Sequence, residues 1–143
     1  VKPELVERYV EDGTLRIEWR DFPYLGEESM NAARAARAAG EQGRFWEYHD
    51  LLYENQGDAG ALSEEGLSGF ARELGLDVER FESDLGSQPV SAAVQADFEA
   101  GQSAGVSGTP TFDVNGRRIV GFQPLETFEG LIEEEARKAG DAS

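Results

Sequence analysis

The residue types rule out most chemistry before any spacing is considered. The sequence contains no cysteine, which excludes structural disulfides, thiolate metal sites and cysteine nucleophiles within these residues. There is one histidine, His49, and a Ser-His-Asp triad or a histidine-bearing zinc site would have to use it. His49 stands at helical spacing among Phe45, Trp46 and Tyr53, a setting that favours a packing or surface role over catalysis or a pH switch. The aromatic set Phe45, Trp46, Tyr48 and Tyr53 reads as core rather than as a ligand cage. Glu64, Glu65 and the run Glu133–Glu135 read as solvated helix faces. No two carboxylates stand at a motif spacing suited to acid–base work. Residue types alone therefore give no catalytic residue, metal ligand or cofactor site.

One segment stands apart: Gly105-Val106-Ser107-Gly108-Thr109-Pro110-Thr111-Phe112. It places a proline at the entrance of an apolar strand. Proline cannot donate to a sheet ladder, so Pro110 belongs at a strand start or an edge. Taken without context it reads as a trans turn, since only about 5–6% of X-Pro bonds are cis.

The elements around it follow from periodicity. The first eleven residues carry a helical stripe of Leu5, Val6, Tyr9 and Val10 that ends at Asp12-Gly13, with no capping residue at the start. Residues Leu15 to Phe22 alternate and predict a strand, with Leu15, Ile17, Trp19 and, at its end, Phe22 on the buried side, closed by Pro23. From Ser29 to Gly105 the pattern is helical. Ser29 is expected to cap a helix carrying Ala32, Ala33, Ala36 and Ala39, followed by a second helix from about Gly43 to Asn55. Ser63 and Asp77 are expected to cap the third and fourth, which bury Leu67, Phe70 and Leu74, then Phe81 and Leu85. A fifth helix runs from Gln88 to Ala104 around Val90, Val94 and Phe98. Asn115-Gly116 then predicts a two-residue hairpin turn, setting Asp113 opposite Arg118 and Phe112 opposite Ile119. A last helix has Pro124 in its first turn and a core stripe of Leu125, Phe128, Leu131 and Ile132. Gly140 to Ser143 reads as a loose tail.

A chain of 143 residues with 39% apolar content fits one compact domain. Its formal net charge of −16 repels phosphate backbones and anionic membrane surfaces, so a nucleic-acid partner is not expected. No apolar run approaches the ~20 residues needed to span a bilayer, and no targeting segment is visible.

In context, the Gly-Val-x-Gly-Thr-Pro-Thr-Phe segment, its Asn-Gly hairpin and the following Gly121-Phe122 resemble the cis-proline loop of DsbA-like thioredoxin-fold disulfide oxidoreductases. Residues 32 to 56, with Arg44-Phe45-Trp46-Glu47-Tyr48-His49 at their centre, resemble the same family, as does Leu74-Gly75-Leu76-Asp77 followed by Phe81. The resemblance implies an α/β thioredoxin-like fold with a helical insertion between the second strand and the cis-Pro loop. On that reading residues 1–143 form one N-terminally incomplete domain, with 1–28 and 106–139 as thioredoxin core and 29–105 as the insertion. It also implies a cis Thr109–Pro110 bond and a substrate-binding loop of Val106, Ser107, Gly108, Thr109 and Pro110. In such a loop the backbone of Thr109 pairs with an extended polypeptide. The implied substrates are thiol-containing proteins or peptides, with a membrane redox partner and an extracytoplasmic location, and no cofactor.

The chain departs from that pattern in its chemistry. Members of the family carry Cys-x-x-Cys at the start of the first helix, where helix-end amides and the macrodipole favour the attacking thiolate. By resemblance residues 1 to 11 are the later part of that helix, so the cysteines and a central first strand are expected before Val1. The abrupt, uncapped start favours truncation. A missing central strand leaves room for a bound N-terminal fragment or a strand-exchanged dimer. The alternative is a redox-inactive thioredoxin-fold module that binds extended peptides. A third reading, other chemistry on the same scaffold, lacks an evident nucleophile.

Overall fold

The computed structural model of the chain describes residues 2–23 and 26–141. Two compact units emerge: residues 20–104, and residues 1–19 together with 105–143.

The 20–104 unit is helical. Its elements are α2 (Glu27–Gly40), α3 (Phe45–Glu54), α4 (Glu64–Glu73), α5 (Val78–Leu85) and α6 (Gln88–Ser103). Alanine-rich α2 is its centre. Ala35, Ala36, Ala38 and Ala39 are buried, and such small side chains let neighbouring helices approach closely. Tyr48, Leu67, Ala71 and Phe81 complete this core. Each large side chain removed from water here contributes about 1.5–3 kcal/mol. The Tyr48 hydroxyl is satisfied by donating to the Leu67 carbonyl at 2.9 Å, and burial pushes its ionisation up.

Caps set the helix boundaries. Ser63 accepts from the Gly66 amide at 3.1 Å and Asp77 from the Arg80 amide at 3.1 Å, both as expected. Ser87 does the same for Val90 at 3.4 Å. Ser29, in contrast, caps nothing: α2 starts two residues earlier, after Gly26 at φ +104°. Glu27 and Glu28 fill its first turn, where carboxylates complement the macrodipole. The expected α2 stripe also shifts, because the buried positions are Ala35, Ala36, Ala38 and Ala39 rather than Ala32 and Ala33.

The other unit joins α1 (Lys2–Leu5), which continues as a π-helical turn over Val6–Val10, to β1 (Thr111–Val114), β2 (Arg117–Val120) and α7 (Leu125–Asp141). Leu5, Ile119, Phe128 and Ile132 are its buried core. The hairpin has the expected register, with Phe112 opposite Ile119 and Asp113 opposite Arg118. Asn115 and Gly116 take φ of +51° and +91°, as the tight turn requires. Pro124 precedes α7 instead of lying inside it, and Gly140 is helical rather than part of a tail. Val1, where the uncapped start was read, and Ala142–Ser143 lie outside the described residues.

The expected strand at Leu15–Phe22 does not form. Its side chains keep the alternation, with Leu15, Ile17 and Trp19 half-buried and Arg16, Glu18 and Arg20 exposed. A strand, however, is defined by hydrogen bonds to a neighbour. Among the described residues the only paired strands are β1 and β2. The architecture is mostly helical, with a small sheet and a block of five helices ahead of the proline loop.

Candidate functional site

The loop at Val106–Pro110 is held by the hairpin that follows it. In a two-residue hairpin the residues flanking the turn exchange hydrogen bonds, and such pairs then recur at every second position. Val114–Arg117 is thus followed by Phe112–Ile119, and the next pair in line is Pro110–Gly121. The Gly121 amide donates to the Pro110 carbonyl at 2.8 Å. The reciprocal bond cannot form, because proline has no N–H. The Thr109–Pro110 peptide bond is cis. Thr111 Oγ1 donates back to the Gly108 carbonyl at 2.8 Å and closes the loop.

The same alternation turns the backbone of Thr109, Thr111 and Asp113 away from β2, toward the open edge of β1. Among the described residues, neither the amide nor the carbonyl of Thr109 has a hydrogen-bond partner. Thr109 and Ser107 are exposed, whereas Val106, Gly108 and Pro110 are half-buried. The loop therefore offers main-chain donors and acceptors at an open edge. It contains no thiol.

Its support is apolar below and ionic at the far end. Phe112 meets Phe128 edge to face with ring centroids 4.8 Å apart, an arrangement aromatic pairs favour. Arg117 pairs with Glu134 at 2.8 Å and also reaches Glu135. That hydrogen bond and charge hold the Glu134 carboxyl below its usual range. Glu134 and Glu135 are thus half-buried partners of Arg117 and Lys138, not the free solvated face expected of the run Glu133–Glu135.

The other candidates separate. His49 is buried at 9% exposure, with its ring 5.2 Å from Trp46 and 4.7 Å from Tyr53, and its Nδ1 lies 3.0 Å from Asp50. This is a packing environment. Tyr48 is core, but Tyr53 is 55% exposed, so the aromatic set is not one buried cluster. Glu64 and Glu65 are exposed, as expected.

Two features were missed in the sequence. Val120 and Phe122, flanking Gly121, are 63% and 87% exposed. The Gly121-Phe122 dipeptide was visible, but nothing in its composition marked Phe122 as uncovered. The second is the charge network Asp21–Arg37–Asp97, which lies within the helical unit. Its only signal was the pair Arg34 and Arg37 in an alanine-rich helix, with nothing to single out Arg37.

A proline loop feeding an open-edged hairpin on a packed helix defines a protein of the thioredoxin-like class. The chain belongs to the thioredoxin family, whose model, described as "Thioredoxin", matches residues 1–134. Among curated relatives it is 37% identical over 133 residues to the Na(+)/H(+) antiporter NhaA 1 of Salinispora arenicola, a match covering 92% of this chain and 20% of that protein. It is 29% identical over 144 residues to the probable disulfide bond formation protein D of Bacillus cereus, covering 96% of this chain and 66% of that one. The chain thus spans about a fifth of the antiporter relative it matches. Among solved structures, a thioredoxin-like oxidoreductase from Silicibacter pomeroyi aligns with a TM-score of 0.71 at 36% identity, covering 83% of this chain and 66% of that one. The thiol-disulfide exchange protein alpha-DsbA2 of Wolbachia pipientis shares the fold, with a TM-score of 0.79 at 21% identity over 92% of this chain and 71% of that one. Among the described residues no helix is long and apolar enough to cross a membrane.

Proposed function

We propose that the chain is the substrate-holding part of a DsbA-like thiol-disulfide oxidoreductase that acts on cysteine pairs of other proteins outside the cytoplasm. One observation carries the reading: Thr109, beside a cis proline, presents an unpaired backbone amide and carbonyl at the open edge of β1. An extended polypeptide can add to such an edge through main-chain hydrogen bonds. Ser107 and Thr109 then face it, while Val106, Gly108 and Pro110 anchor the loop.

Disulfide exchange needs a thiolate that attacks a disulfide sulfur through a mixed disulfide. This sequence has no cysteine, so on this reading the dithiol comes from residues outside it. The part played by these residues is to bind and orient the substrate chain. A membrane redox partner would return the dithiol to its working state.

The test has two arms. The chain alone is expected not to speed insulin reduction or oxidative refolding of a reduced protein. A longer form that includes the residues encoded before Val1 is expected to do both and to contain Cys-x-x-Cys. A natural extension without cysteine overturns the enzyme reading and leaves a redox-inactive peptide binder.

A second reading concerns setting. Relatives named as Na(+)/H(+) antiporters match 92% of this chain at 37% identity, yet the match occupies a fifth of their length. This favours a redox module carried on an ion transporter. Membrane-spanning segments encoded in frame with this chain would support it, and a complete gene without them would remove it.

A further inference from the structure

We infer that Asn115 is a deamidation site of this chain and that the carboxylate of Asp113 holds it closed while the hairpin is folded. The chemistry is intramolecular. The backbone nitrogen of Gly116 loses its proton and attacks the Asn115 side-chain carbonyl carbon, and ammonia leaves. The resulting five-membered succinimide is opened by water to an aspartyl or an isoaspartyl residue. Glycine on the C-terminal side is the least hindered neighbour for this attack, because it has no Cβ. The sequence has three asparagines, Asn31, Asn55 and Asn115, and only Asn115 precedes a glycine.

The surroundings match that chemistry. Asn115 and Gly116 are both exposed, so water reaches the bond. Among the described residues the Asn115 carboxamide has no hydrogen-bond partner and is free to turn toward Gly116. Asn31 and Asn55 differ: the Asn31 carboxamide oxygen accepts from Arg34 at 3.2 Å, and Asn55 donates to the Leu51 carbonyl at 2.8 Å.

One contact opposes the reaction. The Gly116 amide, the nucleophile once deprotonated, donates to Asp113 Oδ1 at 2.6 Å. An anionic acceptor on that proton disfavours its loss and must be displaced before the nitrogen can attack. The positive φ at both turn residues further fixes the nitrogen in the hairpin geometry. Opening the hairpin releases both restraints together, so the bond ages in proportion to the time the turn spends open.

The product has a structural consequence. An isoaspartyl linkage adds one carbon to the main chain at the tip, between Val114 and Arg117. The pairs 114–117 and 112–119 then lose register, and so does the Gly121–Pro110 hydrogen bond that continues the same ladder. Damage at the tip is thereby transmitted to the proline loop.

The test follows deamidation by peptide mapping of the full chain, in buffer and in urea, beside a synthetic peptide of residues 109–123. Asn115 is expected to be the first asparagine converted. Its rate in the folded chain is expected to be at least about tenfold below that in urea or in the peptide. Asp113→Asn and Asp113→Ala are expected to recover about tenfold in buffer, with the rate in urea nearly unchanged. Hydrogen exchange at Phe112 and Val114 in the same samples reports whether the variant hairpin stays formed. Equal wild-type rates in buffer and in urea overturn the inference. So does a wild-type rate in either variant with the hairpin intact, or conversion of Asn31 or Asn55 first.

Discussion

Arg37 Nε donates to Asp21 Oδ2 at 2.7 Å, and the other arm of the same guanidinium reaches Asp97 Oδ2. Asp97 Oδ2 also accepts the Asp21 backbone amide at 3.1 Å, so the three residues close a ring. Burial opposes the charge on Arg37, but the hydrogen bonds and charges of Asp21 and Asp97 outweigh it and raise its pKa. Asp21 is only 3% exposed. Removing the cation takes its two charge-assisted hydrogen bonds from Asp21 and Asp97, and breaking a fully buried pair costs ~3–5 kcal/mol. The Arg37 side chain is 30% exposed, so Arg37→Ala is expected to cost about 2–4 kcal/mol in urea unfolding. Arg37→Lys is expected to restore only part of that, because a lysine cannot span both carboxylates with a planar fork. A loss below about 1 kcal/mol would show a surface-type pair instead.

The ring also shows why some of the fold was legible in the sequence and some was not. Signals that act within a few residues could be read directly: the Ser63 and Asp77 caps, the Asn115-Gly116 turn, and the α7 stripe of Phe128 and Ile132. Asp21, Arg37 and Asp97 lie far apart in the chain, and no local pattern joins them. The Leu15–Phe22 strand failed for the same reason. Its alternation was present, but a ladder depends on a partner that alternation does not identify. At the candidate site, resemblance singled out Val106–Pro110. Sequence alone did not reveal that Thr109 would be unpaired or that Phe122 would be 87% exposed.

Gly66 gives a sharper test of packing. A Cβ built there would lie 2.4 Å from the Gly60 carbonyl oxygen and 2.5 Å from that of Ala61. Both are backbone atoms, so no side chain can swing aside. Gly66→Ala normally favours a helix by roughly 0.5–1 kcal/mol. Here it is expected instead to destabilise by about 1–3 kcal/mol, as overpacking does. Gly69→Ala, with nothing within 4 Å of its Cβ, is the control and is expected to stabilise. Equal behaviour of the two variants in thermal unfolding would refute the close approach.

The contact of the π-helical turn with α7 predicts a pH dependence at the alkaline end. The Tyr9 hydroxyl donates to Glu133 Oε1 at 2.8 Å. That bond, with burial and the Glu133 charge, pushes the phenol from its ordinary 10.0 to about 12. A raised pKa means that the folded state holds the proton more tightly. The stabilisation is therefore complete below pH 10.0 and is lost as pH rises toward 12. Ultraviolet titrations of the wild type and Tyr9→Phe should differ by one tyrosine that ionises late in this window, beside Tyr48 and Tyr53, which burial also raises. Tyr9→Phe is expected to remove this alkaline component of the stability profile. An unchanged profile in Tyr9→Phe would show that the bond contributes nothing.

The open edge of β1 leads to the last prediction. Phe112 and Val114 direct their amides to β2, whereas Thr111 and Asp113 direct theirs outward, in line with the unpaired Thr109. An uncovered edge is a template for another strand. Residues Leu15–Phe22 keep a strand-like alternation but form no strand. Thr109 and Asp113 are exposed and Thr111 is half-buried, so this edge is solvated, and an added strand would replace that water with ladder hydrogen bonds. The chain in isolation is therefore expected to recruit a strand, from a retained N-terminal fragment or from a second copy. Native mass measurement should then exceed the 15.6 kDa of the chain, and the Thr111 and Asp113 amides should exchange as slowly as those of Phe112 and Val114. Supplying a strand-forming peptide should convert a dimer to a one-to-one complex without exposing those amides. A 15.6 kDa monomer that melts cooperatively while Thr111 and Asp113 exchange freely would show that the edge needs no cover.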